Sequence, residues 1–260
     1  MSSGSEGLRI SGEQFKTMIE IISRNPVELL HSEECRKYLA TDRWEKGAHH
    51  MDVHGKTDAG VMPGTVAHNR RELEQGLFGS SKRTGRLINP LRSLEPVYSR
   101  AAKLKVLSIG PRTEMEVFNL LAAGFQIQNI VAIDLISSSP LIDTGDMHQM
   151  PYADRTFDVV ISSWVLSYSS EPQRAVDEMI RVCADGGMVA LGITYEPALG
   201  TGVVVDAETA TAITGSNYAS AAQLKELIGA RLDRTYFEQD PDAPDRTGAV
   251  MLIARIKHRA

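Results

Sequence analysis

Between Lys105 and Leu135 the chain changes pattern three times. Val106, Leu107 and Ile109 form an apolar run that ends at Gly110. Glu116, Val117, Leu120 and Leu121 then recur at helical spacing as far as Gly124, and Ile130 to Ile133 form a second apolar run closed by Asp134. A buried run, a helical stripe and another buried run predict strand, helix, strand: a βαβ unit with an acid at the tip of its second strand. In open α/β sheets, ligands bind beyond the carboxyl ends of the strands. The turn at Gly110 opens a helix whose N-terminal amides attract an anion, and an acid placed like Asp134 can accept hydrogen bonds from ribose hydroxyls.

Downstream the alternation continues. Asp158 to Ser162 reads as a buried parallel strand. Glu171 to Cys183 reads as a helix with Pro172 in its first turn and Ala175, Val176, Met179, Ile180 and Val182 as its apolar stripe. Asp185-Gly186-Gly187 predicts a turn, Met188 to Ile193 a strand and Ser220 to Ile228 a helix. Leu232 to Phe237 and Ala249 to Ile256 predict a closing hairpin around the turn-rich QDPDAPDRTG.

Upstream the pattern is helical and interrupted. Ser11 with Gln14 makes a capping-box start for a helix with Phe15, Met18, Ile19 and Ile22 on one face, ending near Asn25-Pro26. Ser32 caps a second helix carrying Cys35, Tyr38 and Leu39. From Lys46 to Pro63 periodicity is lost in a glycine-rich loop with three histidines, and long loops in compact domains tend to be functional. A third helix is predicted from about Thr65 to Gln75, with Gly76 as its stop. Gly79 to Pro90 reads as polar and irregular, and Glu95-Pro96 as the start of a short helix. Residues 1–100 thus predict a helical cap, and residues 101–260 an α/β domain.

Composition narrows the function classes. With 260 residues, 42% of them hydrophobic and 23% charged, the chain is of ordinary globular make-up. No apolar run approaches the roughly 20 residues that span a bilayer, and MSSGSEGLR has no secretory pattern. Two cysteines, Cys35 and Cys183, read as buried thiols in a reducing, cytoplasmic setting. Residues 1–100 carry 15 Lys+Arg against 13 Asp+Glu, net +2, and the remainder carry 13 against 20, net −7. Neither half is a polyanion-binding surface, so nucleic acid is not an expected partner, nor is a membrane. The cluster Arg70, Arg71, Lys82, Arg83 and Arg86 reads as a solvated face. A homodimer is left open.

Four pieces in order resemble the class I S-adenosylmethionine-dependent methyltransferases: VLSIGPRTE, VAIDL, GDMHQMPYADRTFDVVISSWVLSY and EMIRVCADGGMVALG. The likeness covers about residues 100–195. It implies a Rossmann-like, mostly parallel seven-stranded sheet with a helical N-terminal cap, and S-adenosylmethionine as the cofactor. By that resemblance Gly110, with Pro111 beside it, lets the backbone approach the methionine part. Asp134, followed by Leu135, accepts from both ribose hydroxyls. Asp146 takes the adenine amino group, Met147 packs on the ring and His148 follows it. Ser162, Ser163 and Trp164 line the floor between cofactor and acceptor.

The sequence departs from the family pattern twice. Pro111, Arg112 and Glu114 replace further glycines after Gly110, and Ser108 stands where an acid is common. Arg112 is therefore a candidate for the cofactor carboxylate and Glu114 for its ammonium, against the alternative that both are solvated helix-start residues. Only eleven residues separate Asp134 from Asp146, too few for the usual helix, so a short loop must build the ribose side. A nicotinamide-binding fold would want G-x-G-x-x-G at this turn, which has one glycine.

Displacement at a sulfonium methyl needs positioning and, for many nucleophiles, a base. The candidate catalytic groups are His49 and His50, with His54 and His68 also in the cap, and Tyr168 on the core side. His50, Asp52 and His54 could share one face of an extended segment, but H-H-M-D-V-H matches no metal-ligand spacing, so a lid is the favoured reading and no metal is expected. The expected activity is methyl transfer to oxygen, nitrogen or carbon of a small molecule. The alternative is a protein that binds S-adenosylmethionine or S-adenosylhomocysteine without turnover.

Overall fold

The computed structural model describes residues 10–47, 50–55, 61, 64–74, 81–199, 204–206, 211–214 and 216–258. In chain order the helices are α1 (Gly12–Arg24), α2 (Glu33–Gly47), α3 (Thr65–Glu74), α4 (Ser81–Arg92), α5 (Val97–Arg100), α6 (Glu114–Ala122), α7 (Pro172–Val182) and α8 (Ala221–Ile228). The strands are β1 (Asp52–Val53), β2 (Val106–Ile109), β3 (Ile130–Asp134), β4 (Ile136–Ser137), β5 (Asp143–Thr144), β6 (Phe157–Ser163) and β7 (Cys183–Tyr195). They continue with β8 (Val204–Asp206), β9 (Thr211–Thr214), β10 (Leu232–Gln239) and β11 (Gly248–Ile256).

Seven strands form one sheet in the order β10-β11-β7-β6-β2-β3-β5. β5, β3, β2, β6 and β7 run parallel, and β11 and β10 close the sheet antiparallel. The Rossmann-like expectation holds. Burial on both faces explains the consecutive apolar residues of β2 (Val106, Leu107) and β6 (Val159, Val160, Ile161). On one face Val160, Val189, Leu191 and Leu252 pack with Val176, Met179 and Ile180 of α7 and Leu224 of α8. On the other, Val106, Val159, Ile161 and Ile253 pack with Leu87, Ile88 and Leu91 of α4 and Val97 of α5.

α4 overturns the expectation of an irregular stretch before Pro90. Gly85 and Pro90 read as breakers, yet Pro90 lies inside the helix. Leu87, Ile88 and Leu91, almost fully buried, supply a stripe whose packing outweighs the backbone cost of the proline. In the stretch after α2, residues 50–55 include a short strand that the sequence pattern does not predict. This strand, β1, pairs with β4, Asp52 opposite Ser137 and Val53 opposite Ile136, and the His54 amide donates to the Leu135 carbonyl at 2.8 Å. The expected turn at Asp185-Gly186-Gly187 is a bulge within β7, where pairing to β6 jumps from Cys183 to Met188.

The first segment docks on α6. Leu30 and Ala40 pack against Met115, Phe118 and Ala122. α1 carries the predicted capping box, Ser11 with Gln14. Its Phe15, Met18 and Ile19 stay exposed. Cys183 is buried, and burial pushes its thiol well up, whereas Cys35 is only half-buried. Among the described residues no helix is long and apolar enough to cross a membrane.

Candidate active site

The cleft forms where the carboxyl ends of β2, β3 and β6 meet α3. At the end of β2 the chain turns through Gly110, φ 69°, whose amide donates to the Ile133 carbonyl at 2.8 Å. A side chain there would collide with Val165, so glycine is required on two counts. Arg112 is also left-handed, φ 58°, a conformation that costs a non-glycine residue roughly 1–2 kcal/mol. That turn aims the Arg112 amide at Asp134 Oδ2, 2.8 Å away, while the Ile136 amide donates to Oδ1 at 3.3 Å. Burial raises the Asp134 carboxyl above the usual range, and the amides of Arg112 and Ile136 oppose the shift.

Eleven residues of chain bring the second acid back beside the first. The Gly145 amide donates to the Asp134 carbonyl at 2.8 Å, so Asp146 follows directly on a backbone tie to Asp134. Asp134, Asp146, Leu135, Met147, Gly110, Ile109 and Val165 line one small cavity of about 30 Å³. A neighbouring cavity of about 40 Å³ is lined by Pro111, Arg112, Ser163 and Trp164, and shares Asn69, Gly110, Asp134, Val165 and Tyr168 with the first.

Val61 and the α3 residues Thr65 and Asn69 cover the mouth of this cleft. Arg112 Nη2 donates to Asn69 Oδ1 of α3 at 3.0 Å. Tyr168 Oη and His68 Nε2 lie 3.3 Å apart with their rings tilted at 33°. Val61 pairs with Ser169 across the same opening. The two cavities together fall far below the roughly 300–1,000 Å³ of pockets that bury a drug-sized ligand.

Most of the residues singled out from sequence therefore converge: Gly110, Pro111, Arg112, Asp134, Leu135, Asp146, Met147, Ser163 and Tyr168 line the cleft. Three do not. Glu114 is buried away from both cavities, holding Arg43 of α2 (Arg43 Nη2 to Glu114 Oε1, 2.9 Å) and accepting from Ser139. The expected role on a ligand ammonium is thus displaced by an ion pair between cap and domain. His148 is buried behind Asp146 rather than in the cavity wall. His50 is exposed, outside the lining of the cleft, and His49 lies outside the described residues. The cap histidine at Tyr168 is His68. Val61, Thr65 and Asn69 also line the cleft, and nothing in their local pattern marks them; only the docking of α3 brings them there.

The wall suits a nucleoside with a charged tail. Two buried carboxylates flank an apolar slot of Ile109, Ile133, Leu135, Met147 and Val165, chemistry for hydroxyls and an exocyclic amine around an aromatic base. The buried Ser163 Oγ has no hydrogen-bond partner among the described residues, and Ser163 lines the second cavity. S-adenosylmethionine fits this donor set.

Comparison with known proteins agrees. Residues 115–191 match a family model described as a methyltransferase domain. A phosphatidylethanolamine N-methyltransferase from Cereibacter sphaeroides is 41% identical over 46 residues, 18% of this chain and 23% of that protein. An arsenite methyltransferase from Halobacterium salinarum is 29% identical over 126 residues, 44% and 32% of the two chains. The chain thus spans between about a quarter and a third of these relatives. Among solved structures, one chain of the complex containing the Haloferax volcanii Trm112 methyltransferase activator superposes with a TM-score of 0.55. It is 15% identical over 77% of this chain and 99% of its own length, a likeness of fold.

Proposed function

We propose that this chain, which belongs to the class I S-adenosylmethionine-dependent methyltransferase superfamily, transfers a methyl group to a small-molecule acceptor held between the sheet and the cap. The observation that carries the reading is the pair of buried acids, Asp134 and Asp146, tied through the Gly145 amide on one apolar slot at the ends of the parallel strands. Asp134 would hold the ribose hydroxyls, Asp146 the adenine amine, and Met147 would pack on the base. Arg112 would face the carboxylate of the methionine tail once it leaves Asn69. Bound there, S-adenosylmethionine supplies an electrophilic methyl for in-line displacement, a reaction served mainly by positioning and exclusion of water.

This chain's own contribution is proton handling and closure. His68 Nε2 and Tyr168 Oη, 3.3 Å apart under the cap, can take the proton of an oxygen or nitrogen nucleophile. The enclosed setting favours a small acceptor over a polymer. The first test is calorimetric titration with S-adenosylhomocysteine, then product formation with S-adenosylmethionine and a panel of small oxygen and nitrogen nucleophiles. Asp134→Ala should weaken S-adenosylhomocysteine by about 1–3 kcal/mol, roughly 5- to 150-fold. Unchanged affinity would remove the carboxylate from the site.

One observation favours a second reading, a binding protein without turnover: Arg112 occupies a left-handed turn position that glycine fits best and is bonded to the cap. Tight binding with no methyl consumed across the panel would select it.

A further inference from the structure

We infer that His148 is a positioning residue that fixes the Asp146 carboxylate toward the ligand and ties the adenosine end of the cleft to the Tyr168 end. His148 is buried, and both ring nitrogens are engaged. Nδ1 lies 2.6 Å from Asp146 Oδ1, and Nε2 lies 2.7 Å from Ser169 Oγ. The His148 amide adds a second bond to the same Oδ1 at 2.9 Å. Beyond the imidazole, the Glu171 amide donates to Ser169 Oγ at 3.0 Å.

The hydrogen bonds assign directions to the whole chain. Asp146 Oδ1 only accepts, so in the neutral imidazole the ring proton sits on Nδ1, Nε2 is left as an acceptor, and the Ser169 hydroxyl, which accepts from the Glu171 amide, donates to it. Each group therefore has one role, and Asp146 Oδ1 receives two N–H donors that hold the carboxylate in one rotamer. The far end of the relay is equally fixed. Ser169 follows Tyr168, pairs with Val61 of the cap, and accepts at its carbonyl from Ser216 Oγ at 3.2 Å. Ser169 is completely buried and none of the cavities in the cleft reaches it, so the Asp–His–Ser arrangement is a scaffold and not a nucleophile.

The inference rests on the reading of Asp146 as a ligand contact, and the experiment separates the two. S-adenosylhomocysteine and adenosine are titrated calorimetrically into the wild type and the His148→Asn, His148→Gln and Ser169→Ala variants, with thermal melts as a check on folding. Asn places an amide N–H near the position of Nδ1 and keeps the bond to Asp146; Gln reaches toward Ser169 and loses it. His148→Asn should bind both ligands within about threefold of wild type and His148→Gln at least roughly tenfold more weakly, with Ser169→Ala between them. Folded variants that all bind like wild type would overturn the inference alone. So would equal losses in the Asn and Gln variants that merely track melting temperature. A wild type that binds neither ligand would overturn the methyltransferase reading along with it.

Discussion

The sheet wall of the cleft and the cap wall are held by different means. On the sheet side, Asp134 receives two backbone amides, and its carbonyl receives a third from Gly145. Ile109, Ile133 and Met147 around it are buried in the core of the sheet. On the cap side, α3 reaches the cleft through side chains, Asn69 accepting from Arg112 and His68 lying against Tyr168, beside the Val61–Ser169 bridge. Backbone ties set in a packed sheet pre-organise a site at no cost on binding. A wall held by side-chain hydrogen bonds, each worth about 0.5–1.5 kcal/mol net, can open. The contrast assigns recognition to the sheet and access to the cap.

The largest effect should come from the joint between the two walls. Glu114 is buried at the start of α6, and the guanidinium of Arg43 is its cationic partner. Arg43→Ala would leave that carboxylate buried with only Ser139 and should cost about 2–3 kcal/mol of stability. Because Glu114 is outside the cleft, affinity for S-adenosylhomocysteine at a temperature where the variant is folded should change little. Denaturant melts and calorimetry read the two quantities separately. A variant of wild-type stability would show that the cap does not depend on this pair.

The same contrast governs what could be read from sequence. Gly110, Asp134, Asp146 and Met147 lie on strand ends and tight turns, where chain order and spacing already fix position. They were legible because a βαβ unit brings strand ends together by local rules. α4 was not, since its buried Leu87, Ile88 and Leu91 are spaced among Gly85, Pro90 and charged residues, and only the sheet face beneath makes the stripe decisive. Asn69 was harder still, and His68 was only one of several histidines in its region. A polar residue on a short helix takes its role from where the helix docks, which no local pattern encodes. Glu114 misled for the same reason: its partner Arg43 is 71 residues away.

A subtler test concerns the burial of Asp134. A carboxyl whose folded pKa is raised holds its proton to higher pH in the folded chain than in the unfolded one. Folding is then penalised progressively as pH rises through the window between the ordinary carboxylate value, about 4, and the raised one. Asp134→Asn removes that titration. Its stability relative to wild type should improve as pH rises through that window, then level off above it, while ligand affinity falls. Melts across that range check it; a pH-independent difference would mean that burial does not govern this carboxyl.

The smallest effect should fall on the cap latch, where its sign matters more than its size. With cavities of only about 40 and 30 Å³, the cleft must widen before a nucleoside enters, and the Asn69–Arg112 bond spans its mouth. A bond confined to the closed state lowers apparent affinity by the fraction of molecules it holds closed. Asn69→Ala should therefore raise affinity for S-adenosylhomocysteine by a few-fold, at most roughly tenfold, with a stability loss no larger than about 1.5 kcal/mol. Asn69→Asp, which gives Arg112 a charged partner, should strengthen the latch and lower affinity. If Asn69 instead contacts the ligand, Asn69→Ala weakens binding, and the cap wall takes part in recognition as the sheet wall does.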